Sequence, residues 1–375
     1  MATRSYVRFH DASARTREAA AAAGLFETDE LAAVSAFFDG PGLMASTPLV
    51  PLKRLADSLG LADVWVKDES SRGGLNAFKI VGVTYALARL VGAGRVAHGA
   101  TVVAATAGNH GRAVARAAAL HGLQARIYVP AGTVEARIDA LRSEGAVVRV
   151  SDGSYEQAVR EAASDAAREG WLVVSDTAWP GYEEIPRWIM AGYTQIAREA
   201  YRQLPADRHP TLVLIQGGVG GLVCGASSWL AHTFGAERPY VVACEPSAAA
   251  CMTETARVGE PVTIADVGAT TMNGLRCAEV SPLAWRGYRD VVDAFVAIDD
   301  DWTFRAMRAL AHPGPGDPVV TAGASGACGL GTLLAIASES ALEPMRHHLH
   351  PRARVLVINT EGATDPALYD RVVAT

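Results

Sequence analysis

The stretch that decides the fold is Thr211-Leu212-Val213-Leu214-Ile215-Gln216-Gly217-Gly218-Val219-Gly220-Gly221. It begins as an apolar run without polar alternation, which is typical of a parallel strand covered on both faces. An apolar, helix-like run follows from Leu222. Four glycines at a strand-to-helix turn let backbone N–H groups approach one anion, and the helix N-terminus adds positive charge. The stretch therefore predicts a phosphate site; a plain tight turn is the alternative.

Short apolar runs rich in Val and Ile recur along the chain, with amphipathic stretches between them. The runs are Val64 to Lys67, Thr101 to Ala105, Ala125 to Val129, Ala146 to Val150, Trp171 to Ser175, Thr211 to Ile215, Tyr240 to Ala243, Val291 to Ile298 and Arg354 to Ile358. Alternation of strand and helix predicts a right-handed, doubly wound α/β architecture whose ligands gather at the carboxyl ends of the strands.

A length of 375 residues exceeds one ordinary core. We expect two doubly wound domains with mainly parallel sheets. The large domain would comprise residues 1–83 and 205–375, and the small domain residues 84–204.

Charge and composition exclude several classes of partner. The formal net charge is −6, with 34 Lys and Arg against 40 Asp and Glu, and the basic residues are scattered. This argues against nucleic acid or a membrane surface as a partner. Met1 to His10 contains no apolar h-region and no later run is long enough to span a bilayer, so we expect a cytoplasmic protein.

The five cysteines, at positions 224, 244, 251, 277 and 328, form no Cys-x-x-Cys pair and have no His-rich neighbourhood. Zinc and a disulfide framework are therefore both disfavoured, and we expect no metal site. We interpret the cysteines as small buried apolar residues.

Lys79 lies in the apolar run Gly74 to Gly82. Burying an unpaired ammonium is costly, so such a lysine either extends its amine to the surface or serves as a chemical group. A desolvated, neutral amine can form a Schiff base with an aldehyde cofactor and later act as a base. This window alone leaves both interpretations open.

Two further motifs follow predicted strands. The turn Thr106 to Gly111 places a hydroxyl, small residues and backbone N–H groups at a helix start, which suits a carboxylate ligand as well as an N-cap. Asp176, after the run Trp171 to Ser175, could be a general acid or base, could bind an ammonium group, or could cap a turn.

A dinucleotide is the competing ligand for the glycine loop. The next strand ends near Glu245, a possible ribose ligand. However, the fingerprint G-x-G-x-x-G fails, because Val223 occupies the third glycine position after Gly218 and Gly220. A pyridoxal phosphate or a similar monophosphate fits the loop better.

Together the motifs resemble the pyridoxal-phosphate (PLP) enzymes of the tryptophan synthase β-like, or fold type II, group, and within it the diaminopropionate ammonia-lyases. The shared stretches occur in one order along nearly the whole chain. They are Lys67 to Ser70, Gly74 to Lys79, Gly108 to Arg112, Asp176 to Trp179, Gly181 to Glu183, Ile185-Pro186, Trp188 to Met190, Met272 to Leu275, Pro282-Leu283 and Thr360 to Pro366.

The resemblance implies PLP as cofactor, bound mainly by the large domain, with the small domain on the substrate side. Lys79 would carry the cofactor as a Schiff base and move protons at the substrate Cα, with Phe78 before it. Asn109 would bond the phenolic oxygen, and Thr360 would face the pyridine nitrogen. The phosphate would lie on the loop formed by Gly217, Gly218, Val219, Gly220 and Gly221. A homodimer is also implied.

The resemblance further implies α,β-elimination on a small β-substituted amino acid, most simply L-2,3-diaminopropionate, giving a 2-oxo acid and ammonia. Asp176 would be a possible acid for the leaving group. The substrate would contact Thr106, Ala107, Gly108 and His110.

Two departures from the family pattern remove carboxylates. Ala107 stands where the family turn carries an aspartate associated with the D-isomer, and Ala324 stands where the family carries a glutamate. We therefore expect the L-isomer alone to react. The alternatives are a serine or threonine dehydratase, a β-replacement synthase and, outside PLP chemistry, a dinucleotide-dependent oxidoreductase.

Overall fold

The computed structural model describes residues 7–13, 16, 24–40 and 44–374. Contacts between residues divide the chain into two compact units, Met1–Ala77 with Tyr193–Thr375, and Phe78–Gly192. The predicted small domain, residues 84–204, covers most of the second unit, and its exact boundaries stay a prediction. Most of Met1 to His10, on which the expected localisation depends, lies outside the described residues.

The strands of the described ranges are β1 (Arg8–Asp11), β2 (Leu49–Pro51), β3 (Asp63–Asp68), β4 (Thr101–Ala105), β5 (Gln124–Val129), β6 (Ala146–Val150), β7 (Leu172–Val173), β8 (Leu212–Gln216), β9 (Tyr240–Pro246), β10 (Ala294–Ile298) and β11 (Arg354–Asn359). The α-helices are α1 (Thr28–Asp39), α2 (Lys53–Leu59), α3 (Ile80–Gly92), α4 (Asn109–Leu120), α5 (Glu135–Ser143), α6 (Tyr155–Glu169), α7 (Glu184–Gln203), α8 (Gly221–Phe234), α9 (Cys251–Val258), α10 (Pro282–Tyr288), α11 (Asp300–Ala311), α12 (Cys328–Ser338) and α13 (Pro366–Val373).

The first unit is built on a seven-stranded sheet in the order β1-β10-β9-β8-β11-β3-β2. Its five central strands are parallel, and β1 and β2 pair antiparallel at the two edges. The central strands are buried along almost their whole length. This explains why they read as continuous apolar runs.

The second unit carries a four-stranded parallel sheet in the order β6-β5-β4-β7. Its core packs Val103 and Tyr128 of the sheet against Ala158, Ala162 and Ala166, which are spaced by four on α6. Helix α6 begins at Ser154, whose side chain accepts from Gln157 N, and ends at the left-handed Gly170.

The predicted α/β class with mainly parallel sheets is confirmed, and each of the nine predicted strands is present. The edge strands β1 and β2 of the seven-stranded sheet were missed because none of their four and three residues is buried, so burial imposes no apolar pattern on them. In contrast to the prediction for all five cysteines, Cys277 is only partly buried. Within the described residues, no helix is long and apolar enough to span a bilayer.

Candidate active site

The segment before Lys79 is shaped by Asn76, which adopts a left-handed conformation with φ 57°. Asparagine tolerates this conformation better than most residues. The Asn76 carbonyl accepts from Gly362 N at 2.9 Å, and Ala77 forms an antiparallel bridge with Glu361. Helix α3 then begins directly after Lys79. These contacts connect the segment before α3 to the end of β11.

Lys79 and Asp176 are 97 positions apart in sequence and form one ion pair. The distance from Nζ to Oδ2 is 2.5 Å, and each side chain is 20% exposed. The lysine amine also lies 5.4 Å from the centre of the Phe78 ring. The predicted catalytic lysine and the predicted acid are therefore in direct contact within the second unit.

The chain contains three lysines: Lys53, Lys67 and Lys79. Lys53 is exposed and pairs with Asp57. Lys67 is fully buried, where its amine donates to Thr47 O at 2.7 Å and to Glu199 at 2.9 Å. Only Lys79 combines partial burial with access to solvent and an acidic partner.

Asp176 follows β7, in a segment whose main chain is hydrogen-bonded to the Tyr182 side chain. The Tyr182 hydroxyl accepts from Ser175 N and donates to Val173 O, both at 2.9 Å. Burial raises the pKa of Tyr182, so the phenol stays a neutral donor. Sequence reasoning assigned no role to Tyr182, and only its place in the shared stretch Gly181 to Glu183 indicated one.

Burial alone would raise the pKa of Asp176, but the Lys79 ammonium and then His110 outweigh it and hold the pKa well below its usual range. Asp176 is therefore a carboxylate while Lys79 is charged.

His110 lies beside this pair. Its Nε2 is 2.9 Å from Val174 O, and because a carbonyl only accepts, Nε2 carries the hydrogen. Its Nδ1 is 3.8 Å from Asp176 Oδ2. Nδ1 is buried and has no hydrogen-bond partner among the described residues. The Nδ1 edge of the His110 ring therefore faces Asp176. Contact of His110 with the substrate stays a prediction.

The turn after β4 leads directly into α4. Thr106 Oγ1 accepts from Gly108 N at 3.2 Å, and the helix begins at Asn109. A side chain at Gly111 would place its Cβ 2.8 Å from Thr106 O, so only glycine fits there. Ala107 is partly buried and carries no ionisable group. The turn presents a helix N-terminus, which suits a carboxylate.

The glycine loop connects β8 and α8 in the first unit. Gly220 has φ +91°, and a Cβ there would lie 2.6 Å from Tyr288 Cε1. A Cβ at Gly218 would lie 2.7 Å from Cys277 Sγ, and one at Gly217 would lie 2.9 Å from Val223. Neighbouring side chains thus fill the space behind the loop, while Gly218 and Val219 stay partly exposed.

Thr360 follows β11 and is 4% exposed. Its hydroxyl lies 3.1 Å from Nε2 of Gln216, the residue before the glycine loop. The structure thus brings Thr360 beside the start of the loop. Sequence reasoning gave Gln216 no role, although an amide at the end of an apolar strand was a visible signal.

The segment that contains Ala324 packs against Glu361. Glu361 O accepts from Gly323 N at 2.9 Å, and Glu361 Oε1 accepts from Ser325 N at 3.3 Å. The chain therefore keeps one buried carboxylate next to Ala324.

The carboxylate offered by the dinucleotide alternative is already used. Glu245 is 1% exposed and accepts from Met252 N at 2.9 Å and from Thr253 N at 2.6 Å, at the start of α9. It caps a helix and is not presented to a ribose. Within the described ranges, no cluster of three or more His, Cys, Asp or Glu side chains could hold a metal ion.

The chain is similar to known proteins over most of its length. The family model "Pyridoxal-phosphate dependent enzyme" matches residues 42–361. Diaminopropionate ammonia-lyase of Escherichia coli K12 is 38% identical over 347 residues, which is 87% of each chain. A more distant relative, the L-threonine dehydratase of the same strain, is 27% identical over 264 residues, or 70% of this chain and 48% of that protein.

The fold agrees with a solved structure of the first relative. Diaminopropionate ammonia lyase from Escherichia coli, in complex with an aminoacrylate-PLP azomethine reaction intermediate, has a TM-score of 0.86 and 35% identity. The match covers 98% of this chain and 97% of that chain. The expected fold type II architecture is confirmed, and a dinucleotide-dependent oxidoreductase loses its support.

Proposed function

Because the chain belongs to the family of pyridoxal-phosphate dependent enzymes, we propose that it is an ammonia-lyase acting on a small β-substituted amino acid. The substrate that fits best is L-2,3-diaminopropionate, and the products are a 2-oxo acid and ammonia. The observation that carries this proposal is the 2.5 Å contact between Lys79 and Asp176, which pairs an amine with a partly buried carboxylate.

The residues present fit PLP. The loop from Gly217 to Gly221 leads into the N-terminus of α8, and neighbouring side chains occupy the space that a Cβ at Gly217, Gly218 or Gly220 would need. The Gly217 N–H donates to Cys244 O at 3.0 Å, so the later N–H groups of the loop are the candidates for an anion. We assign the phosphate to this loop, the covalent link to Lys79, the phenolic oxygen to Asn109 and the pyridine nitrogen to Thr360. Bound PLP supplies an electron sink that makes the Cα–H bond of an amino acid acidic.

The chain's own groups supply the proton transfers. Lys79, once released from the cofactor, takes the Cα proton as general base. A β-amino group leaves only as a protonated amine, and Asp176, beside Lys79, is our candidate for the group that gives that proton. His110 lies next to Asp176, with Nδ1 3.8 Å from Oδ2.

The turn after β4 is our proposed binding site for the substrate carboxylate. The N-terminus of α4 favours an anion, and Thr106, Ala107, Gly108 and His110 would line it. Ala107 cannot accept a proton, so no base is available there for the opposite face of Cα. We therefore propose that only the L-isomer is turned over at an appreciable rate.

A substrate panel tests this function. Purified holoenzyme is given L-2,3-diaminopropionate, L-serine or L-threonine, and both the 2-oxo acid and ammonia are measured. We expect two ammonia molecules for each pyruvate from L-2,3-diaminopropionate, at a higher kcat/KM than for the hydroxy amino acids. Preference for L-serine or L-threonine would instead make the protein a dehydratase, which the loss of an aspartate at Ala107 favours.

The same panel with an added thiol or amine nucleophile distinguishes elimination from β-replacement. An elimination enzyme releases pyruvate at an unchanged rate. A replacement synthase consumes the nucleophile and forms a new amino acid at the expense of pyruvate.

We also propose that the protein is a homodimer, as the family resemblance implies, and that it works in the cytoplasm. Light scattering coupled to gel filtration gives the oligomeric mass. Fractionation of source cells gives the compartment, with recovery in a membrane or exported fraction as the contrary result.

A further inference from the structure

Gln216 lies at the carboxyl end of β8, and Thr360 follows the neighbouring parallel strand β11. Both residues belong to the first unit and are almost fully buried, with 1% and 4% exposure. The amide and the hydroxyl are 3.1 Å apart. The Gln216 amide therefore contacts the Thr360 hydroxyl, which we assign to the pyridine nitrogen of PLP.

The surroundings of Gln216 fix the orientation of its amide. Three main-chain carbonyl oxygens surround one terminal atom at 2.8 to 3.1 Å; they belong to Ser325, Gly326 and Ile358. Carbonyl oxygens only accept, so the atom that faces them must be the NH2 group. Rotating the amide by 180° would place Gln216 Oε1 against these three carbonyl oxygens, where no hydrogen bond can form.

The opposite end of the amide does not determine the orientation. Oε1 of Gln216 is buried and has no hydrogen-bond partner within the part of the chain that the structure describes. It points toward Gly329 of α12, where a Cβ would lie 3.1 Å away. An unpaired buried acceptor is unfavourable, so the contacts of the NH2 group determine the orientation.

This orientation has a consequence for Thr360. An NH2 group cannot accept a hydrogen bond, so the Thr360 oxygen is the acceptor in this contact. The hydroxyl hydrogen must therefore point elsewhere.

We propose that Gln216 is a positioning residue that makes Thr360 a hydrogen-bond donor to the pyridine nitrogen of PLP. The inference rests on the proposed function, because it uses the assignment of Thr360 to that nitrogen. The amide does not titrate, so the direction of the hydrogen bond is constant over the working pH range. The nitrogen then accepts from a neutral hydroxyl and stays unprotonated.

The test compares two ligands in binding to the cofactor-free full-length protein: PLP and 1-deaza-PLP, in which carbon replaces the pyridine nitrogen. The ratio of their dissociation constants reports the hydrogen bond to nitrogen and is insensitive to general loosening of the site. The wild type should prefer PLP by roughly 5-fold, the value of one ordinary hydrogen bond. Gln216→Met and Thr360→Val should each lower the ratio to about 1 by this reasoning.

The double variant Gln216→Met with Thr360→Val should show no further fall, because both changes remove the same hydrogen bond. Gln216→Asn keeps an amide of shorter reach and should also lower the ratio, which protects the test if the methionine variant does not fold. Thr360→Ser keeps the hydroxyl and should retain the wild-type ratio.

The outcomes separate the two proposals. If Thr360→Val lowers the ratio and neither Gln216 variant does, the positioning role of Gln216 is wrong and the assignment of Thr360 stands. If Thr360→Val leaves the ratio unchanged, the assignment of Thr360 itself is wrong. If the wild type does not bind PLP, the proposed function fails as a whole.

Discussion

At the scale of single residues, the proposed site depends on the pairing of Lys79 with Asp176. The ammonium holds the pKa of Asp176 far below its usual range, against the opposing influence of burial. We propose that the lysine amine takes a proton from the substrate Cα and that the neighbouring carboxyl group serves the leaving amine.

We propose that Ala107 determines which isomer reacts. We predict that the wild-type kcat/KM for D-2,3-diaminopropionate is about 100-fold or more below that for the L-isomer, since a missing general base costs on this order. Ala107→Asp should raise the rate with the D-isomer, and Ala107→Asn is the matched control of equal shape without a base. The measurement is ammonia release from each isomer. Equal gains in both variants, or rapid turnover of the D-isomer by the wild type, would contradict this role.

At the scale of elements, the glycine loop needs glycine for packing as well as for conformation. Gly220 and Gly259 have nearly equal positive φ, +91° and +92°, but only at Gly220 would a Cβ strike a neighbour, Tyr288. Gly220→Ala should therefore displace the loop and weaken PLP binding by about 10-fold or more, a loss of one or two hydrogen bonds.

Gly259→Ala is the matched control. It should cost about 1 kcal/mol of unfolding free energy from backbone strain and leave PLP affinity unchanged. Titration of both cofactor-free variants with PLP measures the difference. Wild-type affinity in Gly220→Ala would show that the loop does not bind the phosphate.

A second element-scale feature is a buried charge cluster that connects α7 to β3 and the turn after it. Glu199 accepts from Lys67 at 2.9 Å and from Arg72 at 2.6 Å, and Arg72 also donates to Glu69 at 2.7 Å. Burial raises the pKa of Glu199, but Arg72 and Lys67 outweigh it and hold it at about 2. The positive charges of Lys67 and Arg72 are thus neutralised by the negative charges of Glu69 and Glu199.

Glu199→Ala should destabilise the protein by about 3 to 5 kcal/mol, because it leaves buried cations without their partner. Glu184→Ala is the control on the same helix: its exposed pair with Arg95 should be worth less than about 1 kcal/mol. Urea unfolding of both variants measures the difference. Equal small losses would mean that Lys67 and Arg72 find other partners.

The elements also show what the sequence can predict. The central strands were recognised because burial on both faces makes them continuously apolar, and β4 was predicted with its observed ends. The edge strand β6 is mostly exposed, and its valines identified it. The edge strands β1 and β2 have only four and three residues, none of them buried, so their composition carries no such pattern.

In the site, the sequence indicated each glycine-bearing turn, because glycine is costly elsewhere and marks a special conformation. It could not predict the contact of Lys79 with Asp176, since 97 positions separate them and no periodicity connects them. Gln216 was missed for a related reason. Its partners are main-chain carbonyls of distant segments, which have no sequence signature.

At the scale of the whole molecule, Glu245 makes stability depend on pH. Burial raises its pKa to about 7, despite the hydrogen bonds from Thr253 and Met252 that oppose the shift. The folded protein therefore keeps this proton between about pH 4.5 and pH 7, where the unfolded chain releases it. Stability should fall as pH rises through that window, by about 3 kcal/mol from this group.

Glu245→Gln should remove this part of the pH dependence, whereas Glu260→Gln changes an exposed carboxyl group and should keep the wild-type slope. Unfolding free energies of the cofactor-free proteins in urea, measured from pH 5 to pH 8, provide the comparison. Identical slopes for wild type and Glu245→Gln would show that Glu245 is already ionised at pH 5.

The most direct test of the central claim is to locate the covalently bound cofactor. The holoenzyme is reduced with borohydride, digested and analysed by peptide mass spectrometry. With three lysines in the chain, Lys53, Lys67 and Lys79, the result has few possible outcomes. We predict a reduced pyridoxyl group on Lys79 alone, with loss of ammonia release in proportion to labelling. Labelling of Lys53 or Lys67, or full activity with Lys79 unlabelled, would contradict the account.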